Sequence, residues 1–194
     1  MNINPLVIFF ASIFTSNMIL SNFLGMCSFI AVSSRVNTSI KLGLSVTLVL
    51  AITTPLNWLV LQLLKYFNLE NYALIIFIAV IAASVQLLEM VLDRYLVNLY
   101  SALGIFLPLI TVNCAILGVS LFMEIRGYNL LQSFLFGLGS GLGWCLSITA
   151  MAGIRQRIND KAIPAGLRGP GITIIITGLM AMAFIGLSGI VSIQ

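Results

Sequence analysis

Long apolar segments, separated by short polar or turn-forming stretches, dominate the hydrophobic pattern of this chain. Each is close to the roughly 20 apolar residues that a helix needs to cross a bilayer core about 30 Å thick. Cutting the sequence at its charged and turn-forming stretches predicts six transmembrane helices, at about residues 5–34, 40–64, 72–92, 100–122, 130–154 and 171–191. The strands of a β-barrel, which alternate apolar and polar residues over about ten positions, do not fit such runs.

Composition supports an all-α integral membrane protein. The chain of 194 residues is 60% hydrophobic and only 7% charged, with a mean hydropathy of +1.15. That polar content is too small to cover a water-soluble globule of this size. No cleavable signal peptide is expected, because the first apolar stretch follows no basic region and continues to spanning length.

The basic residues predict the orientation of the spans. The side of the membrane that holds the N-terminus carries Lys65 and Arg126, whereas the opposite side carries seven basic residues: Arg35, Lys41, Arg94, Arg155, Arg157, Lys161 and Arg168. Cytoplasmic loops are enriched in Lys and Arg, so both termini are expected outside the cytoplasm. The net charge of +4 therefore indicates topology rather than nucleic-acid binding. The loop at 155–170 is the most basic and is expected to contact a partner or lipid head groups.

Two of the predicted spans are interrupted. The first contains Gly25 and the fourth contains Pro108. Six spans with breaks in the first and fourth predict one transmembrane domain built from two inverted three-helix repeats, at about 1–95 and 96–194. In such an architecture, discontinuous helices meet near the middle of the membrane and form a site there.

Cys27 and Cys114 lie inside the two interrupted segments. Thiolate is the soft ligand that suits iron-sulfur clusters. Cys27 precedes Arg35 by eight residues, about 12 Å of helix, and Cys114 precedes Glu124 by ten, about 15 Å. The two thiols lie at these depths below opposite faces of the membrane. Because the two depths together nearly equal the thickness of the bilayer core, both thiols can lie at about the same level and meet. The alternative is that both are small buried packing residues.

The count of ligands limits what one copy of the chain can hold. A tetrathiolate cluster needs four cysteines, whereas the sequence contains three cysteines and no histidine. A partner protein would have to supply two more. The third cysteine, Cys145, is expected to be a small packing residue.

The glycines at 137–143 precede Cys145 in the fifth span. They lack the strand and βαβ context of a dinucleotide-binding loop, so no nucleotide is expected there. The spacing of Gly137 with Gly141, and of Gly139 with Gly143, instead favours close approach of helices in lipid.

A few polar residues within the spans are further candidates. Glu89 and Asp93 are one helical turn apart near the end of the third span. Glu89 is a candidate for an ion path, although pairing with Arg94 or with a partner helix is the favoured interpretation. Asn22 and Asn113 are expected to cap exposed backbone at the breaks, with hydrogen bonding to cluster sulfur as the alternative.

Four segments identify a family resemblance. The strings FLGMC at 23–27, QLLEM at 86–90, LGIFLPLITVNCA at 103–115 and PAGLRG at 164–169 resemble membrane subunits shared by two bacterial respiratory complexes. These are the sodium-pumping NADH:quinone oxidoreductase and the related Rnf ferredoxin:NAD oxidoreductase. The strings at 24–27, 139–144 and 171–173 are more similar to the sodium pump.

The resemblance implies a shared cofactor. In the sodium pump, the D and E subunits form a pair of opposite topology with a [2Fe-2S] cluster between them, held by two cysteines from each. Cys27 and Cys114 match the family's ligand positions. The resemblance further implies electron relay between the F subunit on the cytoplasmic side and the FMN of the C subunit on the outer side.

The resemblance also implies a cellular location and a set of partner subunits. The chain is expected in the bacterial inner membrane, with both termini periplasmic, in a complex with the A, B, C, D and F subunits that exports Na⁺. NADH and quinone chemistry would reside on those other subunits, so the isolated chain is not expected to catalyse a reaction.

Two other functions remain open at the level of sequence. One is the homologous Rnf protein, with the same fold and cluster but another electron donor. The other is a small inverted-repeat transporter, in which the broken helices bind a substrate and the cysteines only pack. The scarcity of charge in the broken segments argues against an ionic substrate for such a transporter.

Overall fold

A computed structural model describes residues 4–95, 107–158 and 163–188. These residues form helices and connecting turns, without a β-strand in the described ranges. The helices are α1 (Pro5–Ile13), α2 (Met26–Val32), α3 (Val36–Tyr66), α4 (Ala73–Tyr95), α5 (Leu107–Thr111), α6 (Cys114–Ile125), α7 (Leu130–Arg157) and α8 (Pro170–Ser188). Short 3₁₀ turns at Glu70–Tyr72 and Ala165–Leu167 precede α4 and α8.

Three described helices are long and apolar enough to cross a membrane. They are Val36–Tyr66, Glu70–Val91 and Leu130–Arg157, which correspond to the predicted second, third and fifth spans. The apolar helices Leu109–Ile125 and Pro170–Gly186 are shorter. Parts of the predicted fourth and sixth spans, 100–106 and 189–191, lie outside the described residues. The all-helical membrane class is confirmed, whereas the count of six spans stays a prediction.

Both predicted breaks are present. The first predicted span consists of α1 and α2, separated by turns at residues 14–25, and the fourth is interrupted between α5 and α6. The first break is much wider than a kink at Gly25. The order of a short helix, a break, a second short helix and a long helix thus occurs twice, in α1–α3 and in α5–α7. The division into inverted repeats at 1–95 and 96–194 stays a prediction that this order supports.

Glycines on two faces of α7 organise the packing. A Cβ built on Gly141 would lie 2.6 Å from Thr47 Cα, and one on Gly137 would lie 2.9 Å from the Leu50 carbonyl oxygen. These contacts place α3 directly against α7, in antiparallel direction. On the other face, a Cβ on Gly139 would lie 2.7 Å from the Phe9 carbonyl oxygen of α1. The predicted close approach of helices at this glycine run is therefore confirmed.

Several buried polar side chains hydrogen-bond to one another or to their own helix. Thr47, Thr53 and Thr54 of α3 each donate to the carbonyl four residues earlier, at 2.8 to 2.9 Å. Asn57 Nδ2 donates to Ser120 Oγ at 2.7 Å and ties α3 to α6. Within a bilayer, polar groups need such internal partners because no water replaces them.

The outer face of α4 is apolar and exposed, as lipid contact requires. Its exposed large side chains are Leu74, Ile75, Ile78, Leu87, Met90 and Val91. On a water-soluble protein, a patch of this kind would mark an interaction surface. Here it accords with a helix at the edge of a membrane domain.

The glycine packing predicts a matched pair of effects in α7. Gly141→Ala should lower the thermal unfolding midpoint of the purified protein, since the new methyl group forces α7 away from the Thr47 backbone. Overpacking of this kind costs about 1–3 kcal/mol. Gly153→Ala in the same helix meets nothing within 4 Å and should leave the midpoint unchanged or higher. Equal losses in the two variants would contradict the close α3–α7 contact.

Candidate functional site

The site begins with the turns that follow α1. Leu24 N–H donates to the Met18 carbonyl at 2.8 Å, and Phe23 N–H donates to the Ile19 carbonyl at 3.0 Å. The chain then reaches Gly25, which precedes α2 with a φ of +83°. This left-handed conformation favours glycine, because a Cβ would clash with the adjoining peptide. The turn at Gly25 therefore sets the direction in which α2 begins.

Asn17 holds these turns in place. Its side-chain oxygen accepts from the N–H groups of Ile19 at 3.1 Å and Leu20 at 3.4 Å. Its Nδ2 donates to the Gly143 carbonyl at 2.9 Å and to Ser147 Oγ at 3.0 Å, both on α7. Asn17 is fully buried. One side chain thus satisfies backbone groups at the break and fastens the break to α7.

Cys114 lies at the second break, between α5 and α6. Asn113 caps α6, since its Oδ1 accepts from Ala115 N–H at 3.0 Å. Cys114 is the first residue of the helix. Its Sγ accepts a hydrogen bond from Gly25 N–H at 2.9 Å. The capping role predicted for Asn113 is confirmed, and the two breaks meet at this contact.

The structure brings the segments of Cys27 and Cys114 together. Cys27 is the second residue of α2 and follows Gly25 by two positions, so it lies in the same turn as the donor to Cys114. Both thiols are free and exposed on the protein surface. Across the described ranges, no three His, Cys, Asp or Glu side chains converge on one point.

Cys145 belongs to a different contact. A Cβ built on Gly43 would lie 2.8 Å from Cys145 Cβ, which places this cysteine against α3. It is less exposed than the other two. The structure accords with the packing role predicted for it.

Two hydrogen-bond donors beside Gly25 lack an acceptor. Trp144 Nε1 and Asn113 Nδ2 are among four buried side-chain nitrogen and oxygen atoms without a partner in the described part of the chain. A Cβ built on Gly25 would lie 2.7 Å from Trp144 Nε1 and 3.1 Å from Asn113 Oδ1. Glycine at this position therefore leaves the backbone in direct contact with both side chains.

Arg155 fixes the other end of α2. Its Nη1 donates to the Ile30 carbonyl at 3.1 Å and to Ser33 Oγ at 2.8 Å. A cation at the C-terminal end of a helix is favourable for the helix dipole. Arg155 belongs to the basic loop at 155–170 that is predicted to contact a partner or lipid, but here it bonds to other residues of the chain.

The remaining candidates lie apart from this contact or beyond what the structure describes. Asn22 does not take the capping role predicted for it, since its Nδ2 faces Met18 Sδ at 3.9 Å and Asn17 supports the break instead. Glu89 is half-buried on α4. The side chain of Asp93, its predicted neighbour, lies outside the described side chains, so the role of Glu89 stays a prediction.

Comparison with known proteins decides the family. Residues 6–191 match the family described as Rnf-Nqr subunit, membrane protein. The chain belongs to the Rnf-Nqr family. It is 53% identical over 194 aligned residues to the E subunit of the Na(+)-translocating NADH-quinone reductase of Methylococcus capsulatus, covering 94% of this chain and 96% of the relative. The proteins of the same name from Serratia proteamaculans and Nitrosomonas europaea are 53% and 47% identical, with the same coverage of each chain.

Gly25 and Gly127 both lie in left-handed turns, and together they form a matched test of the contact at Gly25. Gly25→Ala should destabilise the protein more than Gly127→Ala. Both positions have positive φ, at +83° and +60°, so both variants carry backbone strain of about 1–2 kcal/mol. A Cβ meets nothing within 4 Å at Gly127 but meets Trp144 at Gly25. Thermal unfolding of the two purified variants measures the difference, and equal midpoints would contradict the contact.

Proposed function

We propose that this chain is the E subunit of a Na⁺-translocating NADH:quinone reductase and that Cys27 and Cys114 supply two thiolate ligands to a [2Fe-2S] cluster shared with the D subunit. Family membership and the names of the relatives support the first part. The observation that carries the second part is the meeting of the two breaks, at the hydrogen bond from Gly25 N–H to Cys114 Sγ.

The groups at this contact fit such a cofactor. Two exposed thiols on adjoining segments, one of which accepts from a backbone N–H, match the soft, anionic sulfur chemistry of an iron-sulfur cluster. The side chains nearest to Gly25 are Trp144, Asn113 and Ala115. Hard cations such as Mg²⁺ and Ca²⁺ prefer carboxylate and carbonyl oxygens, so this set of groups suits them poorly.

The exposure of both thiols leaves them accessible to a second protein chain. A buried pair would be closed to ligands from another chain, whereas Cys27 and Cys114 lie on the protein surface. With three cysteines in the whole sequence, this chain cannot complete four thiolates alone. The D subunit, with opposite topology, would supply the other two across the interface.

Each residue of the site has a specific task in this function. Cys27 and Cys114 would hold the metal, and the Gly25 N–H would stabilise negative charge on the Cys114 sulfur. The Asn17 hydrogen bonds and Arg155 hold α2 at its two ends, so the thiols keep their separation. When bound, the cluster would supply one-electron relay between the F subunit and the FMN of the C subunit.

The remaining features of the proposal concern the assembly. The excess of basic residues on one side supports an inner-membrane protein with periplasmic termini. Reduction of quinone by NADH and export of Na⁺ are tasks of the complete complex, with the A, B, C, D and F subunits. The names of the relatives favour this complex over the Rnf oxidoreductase, and the fit of the thiols favours it over a small transporter.

Removal of either thiol tests the proposal. In the purified complex, Cys27→Ala and Cys114→Ala should each lower the iron content by about two atoms, the iron of one [2Fe-2S] cluster, and should abolish quinone reduction by NADH. Cys145→Ala is the matched control and should keep both, because Cys145 packs against Gly43. Iron analysis and NADH-dependent quinone reduction measure these outcomes. Full iron content in both variants would refute the ligand assignment.

A further inference from the structure

The N–H groups of Trp144 and Asn113 are the least expected feature of the site. Trp144 is fully buried and Asn113 is 3% exposed, yet neither Trp144 Nε1 nor Asn113 Nδ2 has an acceptor. Buried donors in folded proteins are nearly always paired, because an unpaired donor loses its hydrogen bonds to water without replacement. In the working protein, an acceptor for these two N–H groups should therefore be present beside Trp144 and Asn113.

The orientation of the Asn113 amide is not free to change. Its Oδ1 accepts from Ala115 N–H as the cap of α6. Rotating the amide by 180° would turn Nδ2 toward that N–H and break the cap. The amino group is thus the atom that must remain available for another partner.

Both side chains lie beside the contact between Gly25 and Cys114. Asn113 immediately precedes Cys114, and Trp144 Nε1 lies against Gly25, whose own N–H already donates to Cys114 Sγ. The two unpaired donors therefore belong to side chains that lie beside Gly25, whose N–H group reaches the Cys114 sulfur. The acceptor that we infer for these donors is sulfur, either of the Cys114 thiolate or of a metal cluster bound to it.

We propose that Trp144 and Asn113 are positioning residues that donate hydrogen bonds to sulfur at the shared metal centre and thereby raise its reduction potential. The inference rests on the proposed function. One-electron reduction of the bound centre, by electrons that NADH supplies in the complex, would add negative charge to it. Fixed N–H donors stabilise that charge, and hydrogen bonds to sulfur are among the factors that set such potentials.

Two conservative variants remove the donors separately. Trp144→Phe removes the indole N–H and keeps an aromatic ring in the same space. Asn113→Ser removes the amino group and keeps a side-chain oxygen that can cap α6. Trp58→Phe is the matched control, since Trp58 is the other tryptophan of the chain and donates to the Tyr128 carbonyl at 2.7 Å.

The experiment is a redox titration of each purified complex, followed by electron paramagnetic resonance. The signal to follow is the one that Cys27→Ala abolishes. Trp144→Phe and Asn113→Ser should each lower its midpoint potential at unchanged iron content, while Trp58→Phe leaves the potential unchanged. If Trp144→Phe fails to assemble, the result for Asn113→Ser decides.

The outcomes separate the inference from the proposed function. Unchanged potentials in both variants, with normal iron content, would overturn the inference alone and assign the donors to a buried water or to a partner's backbone. A wild-type complex without any signal that depends on Cys27 and Cys114 would overturn the proposed function, and the inference with it.

Discussion

The hydrogen bonds of Asn17 are the constraint on which the rest of the structure depends. A chain that leaves helical conformation within an apolar domain exposes N–H and C=O groups that lipid cannot satisfy. Asn17 pairs with two backbone N–H groups at the break and with two oxygen atoms of α7. Because one side chain makes both sets of bonds, the break has a defined position on α7. The turns that lead to Gly25 and α2 start from that anchor.

The glycines of α7 make this anchor possible. A Cβ on Gly143 would lie 2.9 Å from the Ile13 carbonyl oxygen and 3.0 Å from Asn17 Nδ2. A larger residue would push away the segment that Asn17 holds. Trp144 follows directly and reaches Gly25, so one stretch of α7 supports both the break and the cysteine-bearing turn. Arg155 then fixes the far end of α2, which leaves the thiols little freedom to separate.

Much of this could be predicted from the sequence, because it follows from local patterns. Hydropathy located the helices α3, α4 and α7 to within a few residues, and Gly25 and Pro108 marked the interrupted segments. The glycine spacing in α7 predicted close packing, and the position of Asn113 before Cys114 predicted a cap. Each of these inferences needs only neighbours within a turn or two of helix.

The rest depended on contacts between distant segments. The pattern did not distinguish Asn17 from Asn22, since both are isolated amides in an apolar stretch, and only packing against Gly143 selects Asn17. Trp144 likewise resembles any large apolar residue of a span until Gly25 lies beside it. An amide within an apolar run, upstream of a break, marks Asn17 only as a candidate alongside Asn22.

The central claim is that the two breaks assemble a metal-binding pair from Cys27 and Cys114. The most direct measurement is an anomalous difference map of the crystallised complete complex, collected at the iron absorption edge. The structure predicts an iron peak within bonding distance of both sulfur atoms, at the interface with a second protein chain. An iron-loaded complex with no peak beside these sulfurs would contradict the claim.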